Sequence, residues 1–143
     1  MAKVLVVEDD ILISDLIEDA LIGGGYDVCG VATTAAEAIA LGERERPDLA
    51  VIDIRLADGS DGTTVAARLM AQFSLGVLYA TGNTDHLLAT NAAGHACLKK
   101  PYRPSDVVRS LKIIERLIGG SLSTEGRPAG LFLLDRSTAS GGG

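Results

Sequence analysis

Four short stretches hold the residues able to do chemistry: Glu8-Asp9-Asp10, Asp53, Thr81 and Lys100. The first three close or directly follow an apolar run, and Lys100 stands one residue past another. Carboxylates gathered at neighbouring run ends invite a hard divalent cation. Mg²⁺ takes oxygen ligands, usually one or two carboxylates with waters and phosphate oxygens. Such carboxylates repel one another when left alone; a metal removes that conflict and gives a phosphoryl group a docking point. A lysine ammonium and a threonine hydroxyl from two further run ends would reach phosphoryl oxygens. Phosphoryl transfer needs mostly positioning and positive charge at those oxygens. One carboxylate must then be the nucleophile, and a carboxylate can form an acyl phosphate. Asp53, alone at the end of its run, is the candidate.

The elements that must position these groups alternate along the chain to about residue 118. Val4–Val7 is a continuous apolar run, as expected for a strand buried on both faces. Leu12, Leu16, Ile17, Ala20 and Leu21 follow at helical spacing, with Asp10 as a candidate cap and Gly23-Gly24-Gly25 as the stop. That glycine run follows a helix, not a strand, so it is no nucleotide-binding loop. Val28–Thr33 predicts a second strand and Ala35–Arg46 a second helix, ending before Pro47. Leu49–Ile52 predicts the third strand, and the polar, Gly-rich stretch Arg55–Gly62 a loop. Thr63 or Thr64 is expected to cap a helix faced by Val65, Ala66, Leu69, Met70 and Phe73. Leu75–Ala80 predicts the fourth strand, Thr84–Ala93 a weak helix, and His95–Lys99 a short fifth strand. The last helix starts near Pro104-Ser105 with a stripe of Val107, Leu111, Ile114 and Ile118. Five βα units predict an α/β fold: a five-stranded parallel sheet, doubly wound, with helices on both faces. In such sheets the site lies at the carboxyl ends of the strands, where Glu8-Asp9-Asp10, Asp53, Thr81 and Lys100 fall.

Composition bounds the rest. The chain has 143 residues, 47% hydrophobic and 22% charged, which fits one globular domain. A net charge of −6 argues against a broad basic surface for nucleic acid. No apolar run approaches the ~20 residues of a membrane helix, and Met1-Ala2-Lys3 leads straight into a strand with no cleavage pattern. The expectation is a cytoplasmic protein, with no membrane and no direct nucleic-acid partner. Cys29 and Cys97 are too few for a disulfide framework or a structural zinc site. They read as small packing residues, with an intermolecular bridge through Cys97 as the sharper alternative. His86 and His95 lack metal-ligand spacing and read as surface or packing residues. Residues 1–119 form the expected domain. Residues 120–143 form a Gly/Ser-rich tail with one apolar island, Leu131–Leu134, which either stays unstructured or acts as an arm on the sheet edge or on a second copy, making a homodimer.

Taken together, Val4-Leu5-Val6-Val7-Glu8-Asp9-Asp10, Val51-Ile52-Asp53, Ala80-Thr81-Gly82 and Lys100-Pro101 resemble the receiver domain of two-component response regulators, over residues 3 to about 118. The chain is similar to its single-domain, chemotaxis-regulator-like members. The resemblance implies a flavodoxin-like strand order 2-1-3-4-5 and a Lys-Pro bond that is usually cis. It implies Asp53 as phosphoacceptor, Mg²⁺ held by Glu8 or Asp9, Asp53 and the Arg55 backbone carbonyl, and Thr81 and Lys100 at the phosphoryl group. It also implies slow self-dephosphorylation. The partners it implies are a sensor histidine kinase or phosphotransfer protein as donor and a downstream protein as target. A phosphoryl carrier or sink, and a binding module independent of phosphorylation, are the alternatives. Three departures stand out. Ala57 stands where the family's loop commonly has Pro. Cys97 falls at the family's switch aromatic, while Tyr102 fits the aromatic after Lys-Pro. Arg55 and Asn83 occupy positions tied to phosphate lifetime.

Overall fold

A computed structural model gives the fold and describes residues 1–82 and 92–134. The order is β1 (Lys3–Val7), α1 (Ile11–Gly23), β2 (Asp27–Ala32), α2 (Ala35–Glu45), β3 (Leu49–Ile52), α3 (Gly62–Met70), β4 (Gly76–Thr81), β5 (Ala96–Lys99), α4 (Pro104–Ile118) and β6 (Leu131–Leu133). The helix expected over Thr84–Ala93 falls mostly outside the described residues, as do Asn83 and His86.

The strands form one sheet in the order β2-β1-β3-β4-β5-β6. The five strands expected from the sequence pair in parallel, in the expected order. The sheet is six-stranded rather than five-stranded. β6 runs antiparallel to β5, with Leu98 opposite Leu131 and Ala96 opposite Leu133. The physical reason lies in the edge. Without β6, β5 would present unpaired backbone groups flanked by apolar side chains, and Leu131–Leu134 is the apolar segment that covers them.

The central stretches of the parallel strands are apolar on both sides because alternate residues feed opposite faces, with polar residues such as Lys3, Asp27, Thr81 and Lys99 confined to the strand ends. Leu5, Val7, Ala50, Ile52, Val77 and Tyr79 pack toward α2 and α3, with Ala38, Val65 and Leu69. Val4, Val6, Leu49, Val51, Leu78 and Leu98 pack toward α1 and α4, with Ile17, Leu21, Leu111 and Ile114. Tyr26 and Tyr79 are the buried aromatic side chains among the described residues, and aliphatic side chains supply most of the rest of this core.

Local caps set the helix starts. Asp10 accepts hydrogen bonds from the N–H groups of Leu12 and Ile13, at 3.0 and 3.3 Å. Thr34 caps α2 through the Glu37 N–H. Asp61, not Thr63 or Thr64, caps α3: its Oδ1 accepts from both the N–H and the hydroxyl of Thr63, at 2.8 Å each. The start of α4 is fixed by Pro104 and by Asp106, whose carboxylate accepts from the Arg103 N–H at 3.0 Å. No described helix is long and apolar enough to cross a membrane.

Candidate functional site

The parallel sheet brings four strand ends to one rim. β1 continues into Glu8, whose N–H donates to the Ala32 carbonyl of β2. β3 continues into Asp53, whose N–H donates to the Val7 carbonyl at 2.8 Å. Lys100 follows β5, and its N–H donates to the carbonyl of Thr81, the last residue of β4, at 3.0 Å. These bonds extend the ladder one residue past each strand, so the side chains inherit the stiffness of the sheet.

Glu8, Asp53 and Thr81 are buried, while Asp9 is exposed. One carboxylate oxygen from each of Glu8, Asp9 and Asp53 lies within 4.8 Å of the others. The Lys100 ammonium sits 3.3 Å from Asp53 Oδ2 and 3.8 Å from Glu8 Oε1. The remaining oxygens are also held. Ile54 N–H donates to Asp53 Oδ1 at 2.7 Å, and Asp10 N–H donates to Glu8 Oε2 at 3.1 Å. Burial raises the Glu8 carboxyl to about 7, and the nearby Asp53 charge adds to the rise while Lys100 and the Asp10 N–H oppose it. The site therefore concentrates negative charge beyond what one lysine balances. Three hard oxygen donors this close suit Mg²⁺ better than any softer metal.

The loop after Asp53 is folded back tightly. Arg55 and Asp61 form an isolated antiparallel bridge, and Gly62 N–H donates to the Ile54 carbonyl at 2.7 Å. Ser60 Oγ accepts from the Ala35 N–H at 3.0 Å, which ties the loop to the start of α2. Gly62 was not legible as a site residue. A Cβ there would lie 2.0 Å from the Asp53 carbonyl oxygen, so only glycine lets α3 begin directly against the phosphoacceptor candidate.

The bond between Lys100 and Pro101 is cis. Tyr102 packs on the α1–α4 side, and its buried hydroxyl has no hydrogen-bond partner among the described residues. It lines an apolar cleft of about 320 Å³ with Ile13, Leu16, Ile17, Pro101 and Pro104. Cys97 is 1% exposed, packed toward α2 and α3, and burial pushes its thiol up to about 12. That is the packing role. A bridge to another molecule would need a surface thiol. Cys29 is half-buried, and both cysteines are free. His95 closes the approach to β5, where its Nδ1 accepts from the Val77 N–H at 3.0 Å.

The geometry agrees with the comparisons. Residues 4–112 match the family described as response regulator receiver domain. The phyllosphere-induced regulator PhyR of Methylorubrum extorquens is 36% identical over 107 residues, covering 73% of this chain and 40% of that protein. Among solved structures, the PhyR receiver domain of Erythrobacter litoralis superposes with a TM-score of 0.74 at 30% identity, covering 85% of this chain and 93% of the other. The anti-anti-sigma factor PhyR of Bartonella quintana superposes with a TM-score of 0.68 at 27% identity, covering 83% of this chain and 48% of the other. This chain thus spans less than half the length of both longer PhyR proteins. From the ordered strand ends to the family match, the chain belongs to the response regulator receiver family.

Proposed function

We propose that Asp53 accepts a phosphoryl group from the phosphohistidine of a sensor histidine kinase or phosphotransfer protein, and that the modified chain signals by binding a protein partner. The carrying observation is the Lys100 ammonium set between Asp53 and Glu8, beside three convergent carboxylates. An Asp53 carboxylate oxygen donates an electron pair to phosphorus. The phosphorus–nitrogen bond of the donor breaks, and its pair returns to the imidazole nitrogen. The product is an aspartyl phosphate. Glu8, Asp9 and Asp53 are the residues that would hold Mg²⁺, with the Arg55 carbonyl as a further donor. When bound, the ion supplies positive charge at the phosphoryl oxygens. Lys100 supplies a second positive charge beside Asp53, and Thr81 a hydroxyl from the neighbouring strand end. Ile54 N–H holds Asp53 Oδ1, which fixes the carboxylate plane before reaction.

A protein target fits the net charge of −6 better than a nucleic acid does. The Bartonella quintana relative is an anti-anti-sigma factor, and signalling through a protein partner is the role proposed for this chain by analogy with it. Two free thiols suit a reducing compartment such as the cytoplasm. We take residues 1–119 as the receiver proper and the rest as an arm on it.

Intact mass after incubation with Mg²⁺ and acetyl phosphate tests the reading, with wild type beside Asp53→Asn. One phosphate added to wild type alone is the expected result. An unmodified wild type, both with acetyl phosphate and with a phosphohistidine donor, would favour the phosphorylation-independent binding module.

A further inference from the structure

The sheet edge at β5 is closed by the chain's own β6, and the phosphorylation reading leaves that closure unused. β6 has three residues. It is joined to α4 by residues 119–130, which hold no helix or strand and include Gly119, Gly120, Gly126 and Gly130. The match to the receiver family ends at residue 112, so β6 lies beyond it. Two backbone hydrogen bonds bracket the pairing: Lys99 N–H to the Gly130 carbonyl at 2.9 Å, and Leu134 N–H to the His95 carbonyl at 3.0 Å. Side chains hold the segment on both faces of the sheet, Leu131 and Leu133 on the α1–α4 side and Leu134 on the α2–α3 side, but only Leu131 is fully buried and Phe132 is 45% exposed. Arg127 donates from two nitrogens to the Leu131 carbonyl, at 3.0 and 2.7 Å. That fork folds the connection onto β6 and adds nothing to the hold on β5.

Three paired residues on a glycine-containing tether form an element able to open without the rest of the fold. Once open, β5 presents unpaired N–H and C=O groups beside an apolar strip, the condition in which a sheet edge takes another strand. We propose that the β5 edge is a strand-addition site for an extended segment of a partner protein, with β6 as its resident competitor. β6 itself shows the chemistry the edge accepts. The occupant runs antiparallel to β5 and carries two large aliphatic side chains two residues apart, as Leu131 and Leu133 do. A small residue precedes them, because a Cβ at position 130 would stand 3.2 Å from the Lys99 carbonyl oxygen. Lys99 is exposed where the incoming strand begins, which favours an acidic residue just ahead of it. A short flexible tether gives β6 an effective concentration in the millimolar range, so a free segment binds wild type only weakly.

Strand addition at the β5 edge requires no phosphorylation, and no phosphodonor is needed to detect it. The probe is a labelled peptide of residues 129–135, titrated by fluorescence anisotropy into the full chain. Wild type is compared with Leu131→Asp, and with Leu133→Asp in case the first variant loses its fold. Hydrogen exchange at the Lys99 N–H reports release of β6. A folded, released variant should bind the peptide at least about 100-fold more tightly than wild type. A control peptide with aspartate at its first leucine should not bind. Equal binding by wild type and a released, folded variant, or equal binding of probe and control, would overturn the proposal. So would concentration-dependent dimerisation of wild type through exchanged β6, which would assign the edge to a second copy of this chain.

Discussion

Two features of the fold raise the Glu8 carboxyl: it is taken out of water, and Asp53 stands close by. At the residue scale this makes stability depend on pH in a definite direction. Below the ordinary carboxyl value of 4.5 the folded and unfolded chains both keep this proton. Between 4.5 and about 7 only the folded chain keeps it, so ionisation increasingly favours the unfolded chain. Without divalent ions, wild type should therefore lose about 2 kcal/mol more than Glu8→Gln between about pH 5 and about pH 7.5. Urea midpoints in the presence of a chelator measure this, and parallel slopes for the two proteins would refute it. Cys97 gives a second expectation. Its raised thiol and full burial should keep it unlabelled by iodoacetamide in the folded protein, with adducts confined to Cys29 until urea unfolds the chain. Mass spectrometry of labelled peptides reads both sites. The charged residues of the site were legible because strand ends in a parallel sheet converge, and apolar runs mark strand ends. The contacts between them were not legible. Nothing in the order of residues says that Lys100 reaches Glu8 as well as Asp53, because that depends on how far β1 and β5 stand apart in a twisted sheet.

Among the elements, α3 shows how closely a helix can be built onto a reactive strand end. The stretch Asp58-Gly59-Ser60-Asp61-Gly62 reads as loop throughout, since each residue favours turns. Its last two residues are in fact the cap and first residue of the helix. The cap was missed because the choice among Asp61, Thr63 and Thr64 is made by packing: only Gly62 tolerates the Asp53 carbonyl at that distance. Gly62→Ala should cost on the order of 2 kcal/mol or more, because the clash is with backbone and not with a yielding side chain. It should also slow acetyl phosphate labelling of Asp53 by displacing the strand end. A Gly62→Ala protein as stable and as readily labelled as wild type would contradict the contact. The boundaries of the other described helices were read to within a few residues, because apolar spacing, the cap at Asp10 and the proline that opens α4 pointed the same way.

Across the whole molecule, the parallel core was legible from its apolar runs and its strand order from the family resemblance, while pairing of Leu131–Leu134 with the sheet edge stood only as one of two alternatives. A three-residue strand carries too little alternation to be told from an apolar patch in a polar tail. Its pairing is decided by an edge that exists only once five other strands have assembled. Stability measurements should separate β6 from the core it covers. Leu111→Ala, in the centre of α4, should cost about 3 kcal/mol. Leu131→Ala, though equally buried, should cost only about 1 to 2 kcal/mol, because β6 can undock before the rest unfolds. Equal losses in urea titrations would mean that β6 and the core unfold as one unit. The position of β6 in the chain also bears on how the protein is made. Lys99 leaves the ribosome about 30 residues before Leu131, an interval of roughly 2 to 6 seconds at ordinary rates of translation. During that interval a nascent chain can have its five parallel strands in place while the strand that closes them is still being synthesised. Neighbouring nascent chains on one messenger would meet with that edge open, so the delay is a period in which crowding on the polysome, rather than the finished protein's stability, decides what pairs with β5.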